Sequence, residues 1–209
     1  MAAAPRFDPA LYQRPPGMVL GFHGCDETVG KRVLRRQDKH LLPRNNLYDW
    51  LGPGIYFWEN DPLRAWEFAR DAMTHRHLTR GKIRRPFVIG AVIELGLCLN
   101  LLERLAQNEV RTAHQTLKQM YSVSGKPMPT NMGHEFGARF LDQAVISVVH
   151  EARQELNAIL PGIAPPYDTV RSTFGEGASL YAGAQLHDKN HVQIAVLQVG
   201  CIKGYFEPL

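Results

Sequence analysis

Apolar positions along the chain change their spacing several times, and those changes outline the fold. Met18–His23 (MVLGFH) is a short apolar run ending at Gly24, the pattern of a buried strand. Asp26-Glu27-Thr28 then opens a basic helical stretch through Arg36, with Asp26 or Thr28 as its cap. After a polar loop holding Pro43 and Asn45-Asn46, the run Leu51–Trp58 (LGPGIYFW) reads as a glycine-punctuated turn leading into an aromatic strand. Asn60-Asp61-Pro62 is a helix start, because proline fits a first turn whose N–H groups have no intrahelical partner. Leu63, Trp66, Ala69 or Arg70, and Met73 give that helix an apolar face. Phe87–Leu95 (FVIGAVIEL) is a second clear strand.

The middle of the chain is helical. Leu101–Tyr121 carries an approximate stripe of Leu101, Leu105, Val110, Ala113, Leu117 and Met120. Ser122–Met132 is broken by Gly and Pro, and Phe136–Leu160 repeats apolar residues every fourth place (Phe136, Phe140, Ala144, Val148, Ala152) up to Pro161–Pro166. Strand character returns at His191–Val199 and Ile202–Phe206. The order is β-α-β-α-β, an α-rich middle and terminal β. It predicts one α+β domain over residues 1–209, with an irregular lead-in at 1–17 and a helical insertion at about 101–160.

Composition narrows the class only slightly. Hydrophobic residues are 44% and charged residues 21%, a globular balance. No apolar run nears the ~18 residues of a membrane span, and the N-terminal segment does not read as a secretory signal. Cys25, Cys98 and Cys201 are far apart with no C-x-x-C pair, which points to a reducing compartment, and the expected location is cytoplasmic. Cys25 itself reads as a small buried residue at a strand end rather than a nucleophile. The net charge of +4 is concentrated in Lys31–Arg44 and His75–Arg85, runs that are either solvated surface or attractors of phosphate. The nine histidines form no His-Glu-x-x-His pair, so no metal site is expected. P-loop, Gly-x-Ser-x-Gly and Gly-x-Gly-x-x-Gly signatures are absent from the sequence.

Two segments carry the chemical reading: Gly21-Phe22-His23-Gly24, and Gly52-Pro53-Gly54-Ile55-Tyr56-Phe57 with the helix behind it. Together they resemble the diphtheria-toxin and poly(ADP-ribose) polymerase branch of the ADP-ribosyltransferases, over His23 to about Ala69 and loosely over the terminal strand. The resemblance implies a split β-sheet core and NAD⁺ as substrate. It places the adenosine ribose on His23, the carboxamide on the backbone of Gly24, where a residue without a side chain permits close approach, and the nicotinamide ring on Tyr56. Trp66 would cover the other ring face, although the family's usual aromatic falls one place later, at Glu67.

The third part of the pattern is altered. The family's strand glutamate corresponds to Gln193 in His191-Val192-Gln193-Ile194. Glutamine can hydrogen-bond a ribose hydroxyl but cannot stabilise positive charge or act as a base. His191, on the same strand face by alternation, would supply part of that work with a pKa near neutrality. Glu176, in the Phe174–Gly177 loop, would orient an acceptor, and Arg171 would hold a pyrophosphate; Glu59 is a weaker carboxylate candidate. The expectation is an intracellular mono-ADP-ribosyltransferase acting on a protein, RNA or DNA acceptor. The alternatives are an NAD glycohydrolase, a non-catalytic NAD⁺ or ADP-ribose binding module, and a nucleic-acid-binding domain whose aromatics stack bases.

Overall fold

Strand β1 (Met18–Asp26) has covering elements on both faces, so its burial does not alternate simply. The computed structural model describes residues 17–75, 78–79, 82–132 and 138–209. The lead-in expected over 1–17 falls almost wholly outside them, as do Phe136 and part of the His75–Arg85 basic run. After β1 come α1 (Glu27–Leu34), β2 (Ile55–Glu59), α2 (Pro62–Thr74), β3 (Pro86–Glu94) and β4 (Cys98–Asn100). Then follow α3 (Arg104–Ser124), α4 (Phe140–Ile159), β5 (Thr169–Phe174), β6 (His191–Val196) and β7 (Ile202–Phe206). The strands form one seven-stranded sheet in the order β4-β5-β6-β2-β1-β3-β7, antiparallel except for β4 with β5. The fold class is therefore α+β. The α3–α4 pair is the connection between the two parallel strands, which is where the helical insertion was expected.

The sheet buries a different core on each face. Ile55, Phe57, Ile89, Ile93, Ile194 and Val196 point one way, beneath Val33 of α1 and Leu41. The alternate positions, Tyr56, Val170 and Ala195, point the other way into α3 and α4, against Ala113, Leu117, Val145, Ile146 and Val149. On this second face Phe22 and Trp58 are covered by Ala65 of α2.

Both helix starts follow from local chemistry. The Asp26 carboxylate accepts from Thr28 N at 3.0 Å and so caps α1, and Asp61 accepts from Arg64 N at 2.8 Å and caps α2 with Pro62 behind it. The packed face of α2 shares only Ala69 with the expected one. Leu63, Trp66 and Met73 are exposed, while Arg64, Ala65, Ala69 and Ala72 are buried. The reason lies on β1: a Cβ at Gly24 would stand 2.2 Å from the Ala65 carbonyl oxygen, so the helix backbone sits almost on the strand and only alanines fit between.

Other departures are local. In α4, Val148 is buried as the fourfold series predicts, but its buried companions are Val145, Ile146 and Val149 rather than Phe140, Ala144 and Ala152, and Met120 of α3 is exposed. The segment 191–199 leaves the sheet at Val196, and β4 and β5 are strands that apolar periodicity does not mark.

Candidate functional site

Strands β1 and β2 pair at Gly21–Glu59 and Phe22–Trp58. On either side the ladders run further: β1 stays with β3 to Asp26–Pro86, and β2 stays with β6 to Ile55–Val196. The sheet thus opens between its two central strands beyond Phe22. Asn60 N donates to Leu20 O, and hydrogen-bonded pairs alternate along an antiparallel ladder. In that phase the N–H and C=O of Gly24 face β2, opposite Tyr56. The Tyr56 carbonyl is met instead by a side chain, since His23 Nδ1 donates to it at 2.7 Å. A carbonyl only accepts, which fixes the proton on Nδ1 and leaves Nε2 as an acceptor. The His23 ring lies edge-on to Phe57 at 5.8 Å, on the sheet face opposite the Tyr56 ring.

Burial, opposed by the Tyr56 bond and helped by the charge of Arg44, lowers the His23 pKa to about 4 from the usual 6.5. The unfolded chain therefore takes up a proton near pH 6.5 that the folded chain refuses until about pH 4, and stability falls as pH drops through that window. The expected loss between pH 7 and pH 4.5 is on the order of 2 kcal/mol. Urea unfolding at both pH values checks it, with His23→Asn, which keeps a donor but does not titrate, expected to show a shallower decline. An equal decline in that variant would remove His23 as the cause.

On the Tyr56 face, between α2 and the loop that precedes β2, lies a cavity of about 360 Å³. Its floor is Tyr56, Trp58 and Gln193. Phe174 and Glu176 rise from the end of β5, Arg64, Phe68 and Asp71 come from α2, and the loop before β2 contributes Arg44, Tyr48, Asp49 and Trp50. The Tyr56 hydroxyl donates to Gly52 O at 2.7 Å and accepts from Leu51 N at 3.1 Å, which ties the Gly-Pro-Gly turn to the strand. Burial, with the Asp49 charge adding, pushes its pKa up, so the phenol stays neutral. Gln193 Oε1 accepts from Trp50 Nε1 at 2.7 Å. An indole N–H only donates, so this bond sets the amide orientation and leaves the Gln193 NH₂ as a donor.

The expected site residues divide into two groups. Tyr56, Gln193 and Glu176 line the cavity, and Gly24 faces Tyr56 across the opening. Trp66 is 42% exposed and is not among the lining residues; Phe68, two places on, is. His191 shares the Gln193 face, since Phe174 pairs with His191 and Ser172 with Gln193, but it is buried behind the wall. It stacks on Phe174 at 5.4 Å, and Nδ1 donates to Lys189 O at 2.7 Å. Burial, against that carbonyl bond, lowers its pKa from the ordinary imidazole value. Arg171 is committed elsewhere: Nε and Nη2 donate to the two Glu59 oxygens at 2.5 and 2.8 Å. That pairing also accounts for Glu59. Cys25 is buried, and burial pushes its thiol pKa up to about 12.

Sequence reasoning did not find Arg64, Trp50 or Phe68. One signal for Arg64 was legible, because a cation in the first turn of a helix opposes the helix dipole and needs a reason to be there. Its Nη2 donates to Glu176 Oε2 at 2.7 Å. Arg44, the other cation of the cavity, pairs with Asp49 at 3.3 Å. A second cavity of about 370 Å³ lies between α3 and α4, and Trp50 is a wall common to both.

Fold and site together describe an α+β protein whose central strands part beside an aromatic cavity floored by a neutral amide. No family model, curated protein or solved structure matches the chain. Among the described residues, no helix is long and apolar enough to cross a membrane, and no cluster of His, Cys, Asp or Glu is arranged to hold a metal ion.

Proposed function

We propose that this chain binds NAD⁺ and transfers its ADP-ribosyl group to a protein or nucleic-acid acceptor, the fold being that of the ADP-ribosyltransferases it resembles. One observation carries the reading. The strands bearing His23-Gly24 and Tyr56 separate where the backbone of Gly24 faces Tyr56, and the ring of Tyr56 lines a cavity with Gln193 on its floor. In that arrangement the carboxamide hydrogen-bonds the Gly24 backbone, the nicotinamide ring lies on Tyr56, and the Gln193 NH₂ donates to the nicotinamide ribose. The glycosidic C–N bond breaks with its electron pair leaving on nicotinamide. An acceptor O or N then bonds to the resulting oxocarbenium carbon and gives up its proton.

A second reading is a binding module without chemistry. It draws support from the neutral Gln193 and from the ion pair that engages Glu176, the carboxylate nearest that role. Incubation with NAD⁺ labelled in its adenylate half separates the readings. The expected result is free nicotinamide together with label in a protein, RNA or DNA fraction. Tyr56→Ala should lower release by ~100-fold or more and Gln193→Ala by ~10-fold, the scale of losing substrate placement or one transition-state donor. Release without label would identify a glycohydrolase. NAD⁺ binding without release would establish the module, and unaltered release from a folded Tyr56→Ala protein would sink the assignment of the site.

A further inference from the structure

Four buried nitrogens beside the cavity have no hydrogen-bond partner among the described residues: Arg64 Nε and Nη1, Trp58 Nε1, and His191 Nε2. They belong to one neighbourhood. The Arg64 guanidinium carbon lies 5.8 Å from the Trp58 ring centre, and the Trp58 and His191 rings are 6.1 Å apart. The Arg64 side chain is only 7% exposed, and Arg64 and Trp58 both line the cavity. Buried polar groups left unpaired are costly, so four together mark a place built for a polar occupant.

The donor and acceptor types define that occupant. The arginine and the indole only donate. His191 donates through Nδ1 to Lys189 O, so its Nε2 accepts. An ionised group with several acceptor oxygens meets the three donors, which is the description of a phosphoryl group. Two carboxylates face the guanidinium: Glu176, hydrogen-bonded to Nη2, and Glu67, 3.9 Å from Nη1 and beyond hydrogen-bond reach. Glu176 stands between Gly175 and Gly177, and Lys189 N donates to its carbonyl oxygen at 3.1 Å, so its release from Arg64 is a rotation of the side chain alone.

We infer that the Arg64–Trp58 end of the cavity, with His191 behind it, is a phosphoryl subsite in which Glu176 occupies the anion's place on Arg64. Entry of the phosphoryl group displaces Glu176 from Nη2 and frees its carboxylate beside the cavity. The subsite stands on its own residues; the identity of its phosphate as that of NAD⁺ rests on the function proposed above. The phosphoryl group is either the diphosphate of the dinucleotide or a phosphate on the acceptor.

Calorimetric titration of the whole chain with inorganic pyrophosphate tests the subsite. Arg64→Gln should weaken binding at least tenfold, in line with loss of charge-assisted hydrogen bonds, whereas Glu176→Gln, which leaves Arg64 in place but removes the competing charge, should tighten it several-fold. The opposite signs keep the test valid if Arg64→Gln fails to fold. Competition between pyrophosphate and NAD⁺ assigns the subsite to the dinucleotide, and simultaneous binding of both assigns it to a phosphorylated acceptor. No binding of millimolar pyrophosphate, or equal affinities in all three proteins, would overturn the subsite. If NAD⁺ still bound in that case, the function reading would stand; pyrophosphate binding through Arg64 without any NAD⁺ binding would overturn the function reading instead.

Discussion

Gly24→Ala should destabilise the protein by about 3 kcal/mol or more, at the upper end of the cost of overpacking a core. The added Cβ would meet the Ala65 carbonyl oxygen at 2.2 Å and the Ala69 Cβ at 3.2 Å. A side chain in that place could rotate away, but a helix backbone must move as a body, and α2 would have to lift off β1. Because α2 also carries Arg64 and Phe68 into the cavity, ligand binding should weaken in the same variant. Gly204→Ala is the control, since nothing lies within 4 Å of a Cβ there. Urea midpoints read the difference. A Gly24→Ala midpoint equal to that of wild type would mean that the close approach of α2 is not a feature of the protein in solution.

The second large effect belongs to Arg171. Its side chain is 19% exposed and that of Glu59 11%, and the two meet through paired hydrogen bonds, with Asn100 Oδ1 accepting from Nη1 at 3.4 Å. Arg171→Met should cost about 3–4 kcal/mol, most of it from leaving a carboxylate buried without its partner. Adding Glu59→Gln should return much of that loss. At a temperature where both variants are folded, NAD⁺ affinity should change by less than about twofold, because an ion pair outside the cavity touches no ligand. A pyrophosphate anchor would behave in the opposite way, losing affinity with little change in stability, and that result would put Arg171 back in the binding machinery.

These residues also show how far a sequence can be read. Capping and turn chemistry is local, so the starts of α1 and α2 at Asp26 and Asp61 and the Gly-Pro-Gly turn before Tyr56 were visible in the order of residues. The strands β4 and β5 were not. One is three residues long, and the other alternates Val170 and Ser172 with Thr169 and Arg171, polar residues whose partners Leu95 O and Glu59 come from distant chain. In α2 the period was read correctly, and so was Ala69, but the rest of the face was not. Leu63-Trp66-Met73 and Ala65-Ala69-Ala72 obey the same spacing, and only the missing side chain at Gly24, on another element, decides in favour of the small residues.

The cavity divides along the same line. Tyr56 and Gln193 stand on strands whose alternation is legible, and the structure brings both to it. Trp50 reaches Gln193 across 143 residues of chain, and Arg64 reaches Glu176 across 112. Neither contact leaves a local pattern.

The indole rings have a practical consequence. The chain contains three tryptophans; Trp50 and Trp58 form part of the cavity wall, whereas Trp66 is open to solvent. Replacing Trp66 alone leaves a tryptophan emission, excited selectively at the red edge of the indole band, that originates entirely at the cavity. One ring then reports on the bond to Gln193 and the other on the approach of charge to Arg64, so the protein carries its own optical gauge of occupancy without an attached dye.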